Sequence, residues 1–126
     1  MNLCTPEEAK HHIRIDGDDD DAWLNVMIPA VSQAVLLWLK DEWRACVLLT
    51  DSNGDVVTDS DGVPEVEIDS DGPVVKPVVK AATLIELAQQ YRYRDGKDAG
   101  VVVGNGYTLG MGATALLNAL RRSTVA

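Results

Sequence analysis

Phenylalanine is absent from the 126 residues, and three tryptophans and three tyrosines are the only aromatics. A core built from this chain must therefore be aliphatic, since hydrophobic residues still make up 46% of it. Cysteine is almost as scarce. Cys4 and Cys46 are too few for a disulfide framework or a four-ligand zinc set, so both are expected as reduced thiols. No run approaches the roughly 20 uninterrupted apolar residues that span a bilayer, and the amino terminus lacks the basic-then-apolar pattern of a secretion signal. A soluble protein, made and used without secretion, is expected. Missing too are a glycine-rich phosphate loop, a zincin motif and any recognisable pairing of Ser or Cys with His, which leaves a catalytic reading without support and no cofactor to expect.

Positive charge is missing from one half. Up to Val75 there are 17 acidic and 4 basic residues, a balance of −13; from Lys76 onward there are 3 acidic and 7 basic, a balance of +4, within a total of −9. Such asymmetry suits a subunit whose two ends meet different partners, or copies that set acidic against basic faces; a solvated acidic surface is the plainer reading. An acid-rich chain is poorly suited to gripping nucleic acid, because tight binding relies on Lys and Arg displacing counterions from phosphate.

What is present reads mainly as helix. Thr5-Pro6-Glu7-Glu8 is a complete helix start, with Thr5 to cap, Pro6 at the first helical position and Glu8 placed for a capping box; a short helix is predicted to about Ile13. After Asp16-Gly17, the carboxylates Asp18 to Asp21 stand before a long apolar segment, Ala22 to Leu39, where they favour a helix amino terminus electrostatically and by capping. In that helix Asn25, Ser32, Gln33 and Lys40 are assigned to one narrow polar stripe. Trp23, Met27, Val31, Val35 and Trp38 lie in the wide apolar remainder. A helix apolar nearly all round is buried on more than one side, so these five are expected at a subunit interface. Pro29 predicts a kink.

From Cys46 the pattern turns to short β-prone runs, Val47-Leu48-Leu49 and Val66-Glu67-Ile68, between turn signals at Asn53-Gly54, Asp61-Gly62 and Asp71-Gly72. Residues 46–74 are expected as a β-hairpin-like acidic insertion. A third helix follows Pro77 and carries Val78, Val79, Ala82, Ile85, Leu87, Ala88 and Tyr91 to a stop at Asp95-Gly96. Six glycines between Gly96 and Gly112 predict a mobile or partner-ordered loop over 96–112. A last short helix runs from about Ala113 to Arg122. The expected architecture is mainly α: a single domain over 1–126, a small bundle of about four helices.

The echo Asp51-Ser52-Asn53-Gly54, Asp59-Ser60-Asp61-Gly62, Asp69-Ser70-Asp71-Gly72 has the residue types of a calcium loop. No copy supplies oxygen ligands at positions one, three and five with glycine at six and glutamate at twelve. Asp and Gly are also what tight turns require, so turn chemistry is favoured. A small calcium-binding or protein-interaction module stays as the alternative function. His11 and His12 are adjacent on a helix, point about 100° apart and cannot both face one metal from it. Arg92, Arg94 and Lys97, interleaved with Tyr91 and Tyr93, suit a helix carboxyl end better than a nucleic-acid patch.

Three segments in this order carry a resemblance: Thr5-Pro6-Glu7-Glu8-Ala9-Lys10; His12 to Ala22 with its run of aspartates; and Val78 to Asp95 with its Tyr-Arg ending. Together they resemble the head-tail connector, or adaptor, family of tailed bacteriophages. The resemblance implies a non-enzymatic virion protein of the neck, assembled in the host cytoplasm as a homo-oligomeric ring, twelvefold in the family. The ring would sit under the portal protein, meet a stopper or tail-completion protein on its other side, and let genomic DNA pass through without sequence-specific binding; no membrane is involved. By the family's habit the carboxyl-terminal segment docks on the portal. Here that segment offers Leu116, Leu117 and Leu120 as an apolar anchor with Arg121 and Arg122 as a basic rim.

Overall fold

The computed structural model describes residues 1–93 and 109–121. Helix α1, Pro6–Ile13, begins with the predicted reciprocal cap: Glu8 N donates to Thr5 Oγ1 at 3.1 Å and Thr5 N donates to Glu8 Oε1 at 2.9 Å. It ends on Arg14, which takes the left-handed conformation (φ 66°). Helix α2, Asp21–Leu39, is followed by a 3-10 turn, Glu42–Ala45. Strands β1, Ile68–Asp69, and β2, Gly72–Pro73, form an antiparallel hairpin. Helix α3 is Pro77–Arg92, and α4, Met111–Leu117, continues into a 3-10 turn, Asn118–Leu120. This is the expected mainly helical bundle with a small hairpin. Residues 96–108 of the predicted glycine-rich loop, together with Arg94 and Arg122, lie outside the described residues.

The core is aliphatic, as an absence of Phe requires. Leu24, Ile28, Val31, Val35 and Leu39 of α2 are buried against Leu3, Ala9, Val79, Ala82, Leu87, Ala113 and Leu117. Their spacing of three and four residues places them on a single stripe of α2. Ser32 lies on that buried stripe and not in the polar one to which the sequence assigned it. Its hydroxyl is fully buried and accepts the backbone N–H of Leu3 at 3.0 Å, so a polar side chain in the core satisfies a buried donor that would otherwise be orphaned. Helix α2 runs through Pro29, which is exposed. The carbonyl that loses its helical donor is that of Asn25, also an exposed residue, where water can replace the bond.

The insertion is held by its backbone. Leu49 N donates to Glu65 O (2.9 Å), Glu65 N to Val57 O (2.8 Å) and Val57 N to Leu49 O (3.0 Å), closing a triangle of three chain segments. Nearer the bundle Val47, Val74 and Glu67 repeat the arrangement: Val47 N to Val74 O (2.8 Å), Val74 N to Glu67 O (2.9 Å) and Glu67 N to Val47 O (2.9 Å). Two stacked triangles make a three-sided stalk rather than a flat hairpin. The three aspartate turns join its segments. Asp51 Oδ1 accepts from the N–H of Asn53 and Asp55, Asp59 Oδ1 from Asp61 and Val63, and Asp69 Oδ1 from Asp71, all within 3.0 Å. Gly54, Gly62 and Gly72 follow with φ of +84°, +79° and +112°. These are Asx turns closed by glycine.

Candidate assembly interface

The bundle is tied together at its edges by polar contacts that also decide which surfaces stay free. Lys80 on α3 reaches Glu8 on α1 at 2.8 Å. Burial pushes the Glu8 carboxyl up, but its hydrogen bonds from Lys80 and Thr5 outweigh that and hold it below the ordinary value. Lys10 meets Asp21 at 2.6 Å and Asp18 at 3.6 Å. The bond from Asp21 raises the Lys10 pKa. Asp20, at the α2 amino terminus, makes no side-chain cap. Its Oδ2 accepts the Tyr91 hydroxyl at 2.9 Å, and Tyr91 meets Trp23 edge-on with ring centroids 5.3 Å apart. Burial, with Glu8 nearby, pushes the Cys4 thiol up to about 11, and burial also raises Cys46. Both cysteines are free and buried, and their thiols stay protonated at neutral pH.

Helix α4 sits close on α3 because two glycines let it. A Cβ on Gly110 would stand 3.1 Å from Gln89 Oε1 and 3.2 Å from Glu86 Oε2, and one on Gly112 would stand 3.2 Å from Ile85 Cγ2. The Glu86 carboxylate, 1% exposed, accepts the N–H of Gly110 at 2.9 Å. The far end of α4 is latched by two arginines. Arg44, paired with Asp41 at 2.8 Å, donates to Leu120 O at 3.1 Å. Arg121 donates to Trp38 O at 3.0 Å and lies 4.5 Å above the Trp38 ring.

These contacts sort the residues expected at interfaces. Val31 and Val35 are 1% and 0% exposed, so the chain's own core already covers them. Trp23, Met27 and Trp38 are half-buried. The free face of α2 instead carries Val26 and Leu37, at 67% and 70% exposure, with exposed Ala30 between them. Beside it runs a shallow groove of ≈ 380 Å³ lined by Met27, Ala30, Ala34, Leu37 and Gln90. The sequence pointed to the right helix but to the wrong stripe for these two valines, because every position in the segment looked alike in polarity. Among the carboxyl-terminal candidates Leu117 is fully buried, Leu120 is half-buried, Leu116 is 37% exposed and Arg121 is exposed. Met111, 89% exposed, escaped the sequence reading, which started the last helix two residues later.

Helix α2 is long and apolar enough to cross a membrane by length and composition, with 33% of its apolar window buried in the bundle. The sequence reading did not anticipate this. Its buried stripe packs among α1 and α3, as the core helix of a bundle does. Among the described residues no group of three or more His, Cys, Asp or Glu is arranged to hold a metal ion.

The sequence model of the phage gp6-like head-tail connector proteins matches residues 5–108. The chain belongs to this family. No curated protein and no solved structure matches it at a significant level. The match runs from the α1 cap through α3 and includes the acidic stalk. Membership makes this connector a structural protein of the virion neck, part of the assembly that joins the phage head, with its portal, to the tail proteins. The exposed apolar face of α2 is thus a surface on a subunit whose family works by assembling.

Proposed function

We propose that this connector forms a closed ring, twelvefold as in its relatives, between the portal and a stopper or tail-completion protein. It assembles in the host cytoplasm, and genomic DNA passes through its centre. The observation that carries the reading is the exposed, charge-free face of α2, on a chain whose family joins head to tail. Eighteen residues from Ala22 to Leu39 contain no charge, and an apolar helix face left in water is a site for association. The stalk carries eight carboxylates and no basic residue between Cys46 and Val75. Set in the lumen or against the next ring, it repels phosphate, so DNA slides without sticking.

Portal docking is assigned to the carboxyl-terminal end, with Leu116 and Leu120 flanked by Arg121 and Arg122. Leu117 serves the core instead. Truncation from Ala113 is a poor test, since it removes two buried residues of the bundle. Charge reversal at Arg121 and Arg122 leaves the core in place. Negative-stain images of necks from particles made with and without the chain test the ring. Its loss together with the chain is expected, and an unchanged neck overturns the reading. Folded Arg121→Glu/Arg122→Glu subunits that still attach normally to DNA-filled heads overturn the docking assignment.

A further inference from the structure

Two faces of this subunit are apolar, exposed and free of charge, and they are not the same face. On α2, Val26, Ala30 and Leu37 recur at helical spacing. On α4 and its 3-10 turn, Met111, Ala115 and Ala119 form a second exposed stripe, within a stretch, Leu109 to Leu120, that holds no charged residue. Both helices lean on α3, but on different sides of it. Ile85, Glu86 and Gln89 of α3 meet the start of α4, whereas Tyr91 meets Trp23 of α2 and Gln90 lines the α2 groove. At about 100° per residue these two sets point roughly 140° apart around the α3 axis.

We propose that neighbouring copies join head to tail, the α2 face of one subunit burying the α4 face of the next. This deepens the ring reading and rests on it. The partner is a second copy, for an electrostatic reason. The stalk and the run Asp18 to Asp21 are strongly acidic on a chain of net charge −9, so two copies repel across those surfaces and can approach closely only where charge is absent. The two stripes also fit in shape. Leu37 and Val26 form a ridge, and Ala115 and Ala119 are small enough to receive it while Met111 adapts to the groove. A face that paired with its own copy would stop at a dimer and leave the other stripe in water. Two unlike faces set at an angle short of opposite close instead into a many-membered ring.

The test uses the purified full-length chain and two substitutions at exposed positions, Leu37→Asp and Met111→Asp, with circular dichroism to confirm folding. Light scattering and sedimentation over a range of concentrations give the mass. The wild type is expected to self-associate and each variant alone to be monomeric. An equal mixture is expected to form dimers and nothing larger, because the intact α4 face of Leu37→Asp meets the intact α2 face of Met111→Asp. A wild type monomeric at about 1 mM, a Met111→Asp variant that associates like the wild type, or a mixture without dimers each overturns the pairing. So does flotation of the wild type, but not of Leu37→Asp, with phosphatidylcholine vesicles, which would make the α2 face a lipid surface. If necks still show a ring containing the chain while the mixture fails, the ring stands and only this pairing falls.

Discussion

The bundle and the stalk are folded by different means. The bundle buries aliphatic side chains from four helices and the amino-terminal strap; between Val47 and Val78 not one residue is buried. The stalk is nonetheless ordered, because its backbone donors and acceptors meet one another in two closed triangles and its turns are locked by aspartate side chains. Burial makes the bundle sensitive to volume. Hydrogen bonding and backbone conformation make the stalk sensitive to turn chemistry and tolerant of charge, so a small connector can carry a strongly acidic projection at no cost to its core.

This contrast can be broken at several points. The largest effect belongs to the core: Ile28→Ala opens a cavity in the α2 stripe and is expected to destabilise by about 2–5 kcal/mol in chemical denaturation. A loss below about 1 kcal/mol would mean that the stripe is not the core. Next comes Ser32→Ala, which strands the buried N–H of Leu3 and should cost about 1–3 kcal/mol, with faster amide exchange at Leu3 as the local sign. Trp23→Ala and Trp38→Ala belong below the range for fully buried aromatics, since both rings are only half-buried.

In the stalk, Gly62→Ala meets no steric neighbour. Only its left-handed backbone opposes the change, so about 1 kcal/mol is expected, read as faster exchange at Asp61 and Val63 with the bundle amides unchanged. Bundle amides that speed up equally would show stalk and bundle to be one cooperative unit. Smallest is an acid effect in the bundle. The Glu8 carboxyl is held below its ordinary value, so its tie to Lys80 and Thr5 stabilises at neutral pH and is lost as pH falls through the carboxylate range. The stability gap between wild type and Glu8→Gln should therefore shrink from pH 7 to pH 4, and a gap that widens would reverse the sign.

Local signals were legible in the chain because their causes are local. The Thr5–Glu8 cap, the aspartate-glycine turns, the apolar run of α2 and the start of α3 at Pro77 each depend on residues within a few positions. They came out within a residue or two of the predicted places. The family was legible for the same reason, through three segments that each carry their own pattern. The residues predicted for a subunit contact fared differently. Val31 and Val35 went to the core while Val26 and Leu37 stayed in water, although all four are aliphatic and lie on one helix.

Sequence by itself determined which segments become helices, where the turns fall and how charge divides along the chain. Those outcomes follow from backbone propensity, capping and composition. Only the tertiary structure decided which side of α2 faces inward, that Ser32 belongs there to satisfy Leu3, that Asp20 serves Tyr91 instead of capping its helix, and that the stalk closes three-sided. Each of these depends on what a distant segment brings alongside, and in a helix apolar nearly all round nothing local distinguishes the face that will meet α3 from the face left exposed.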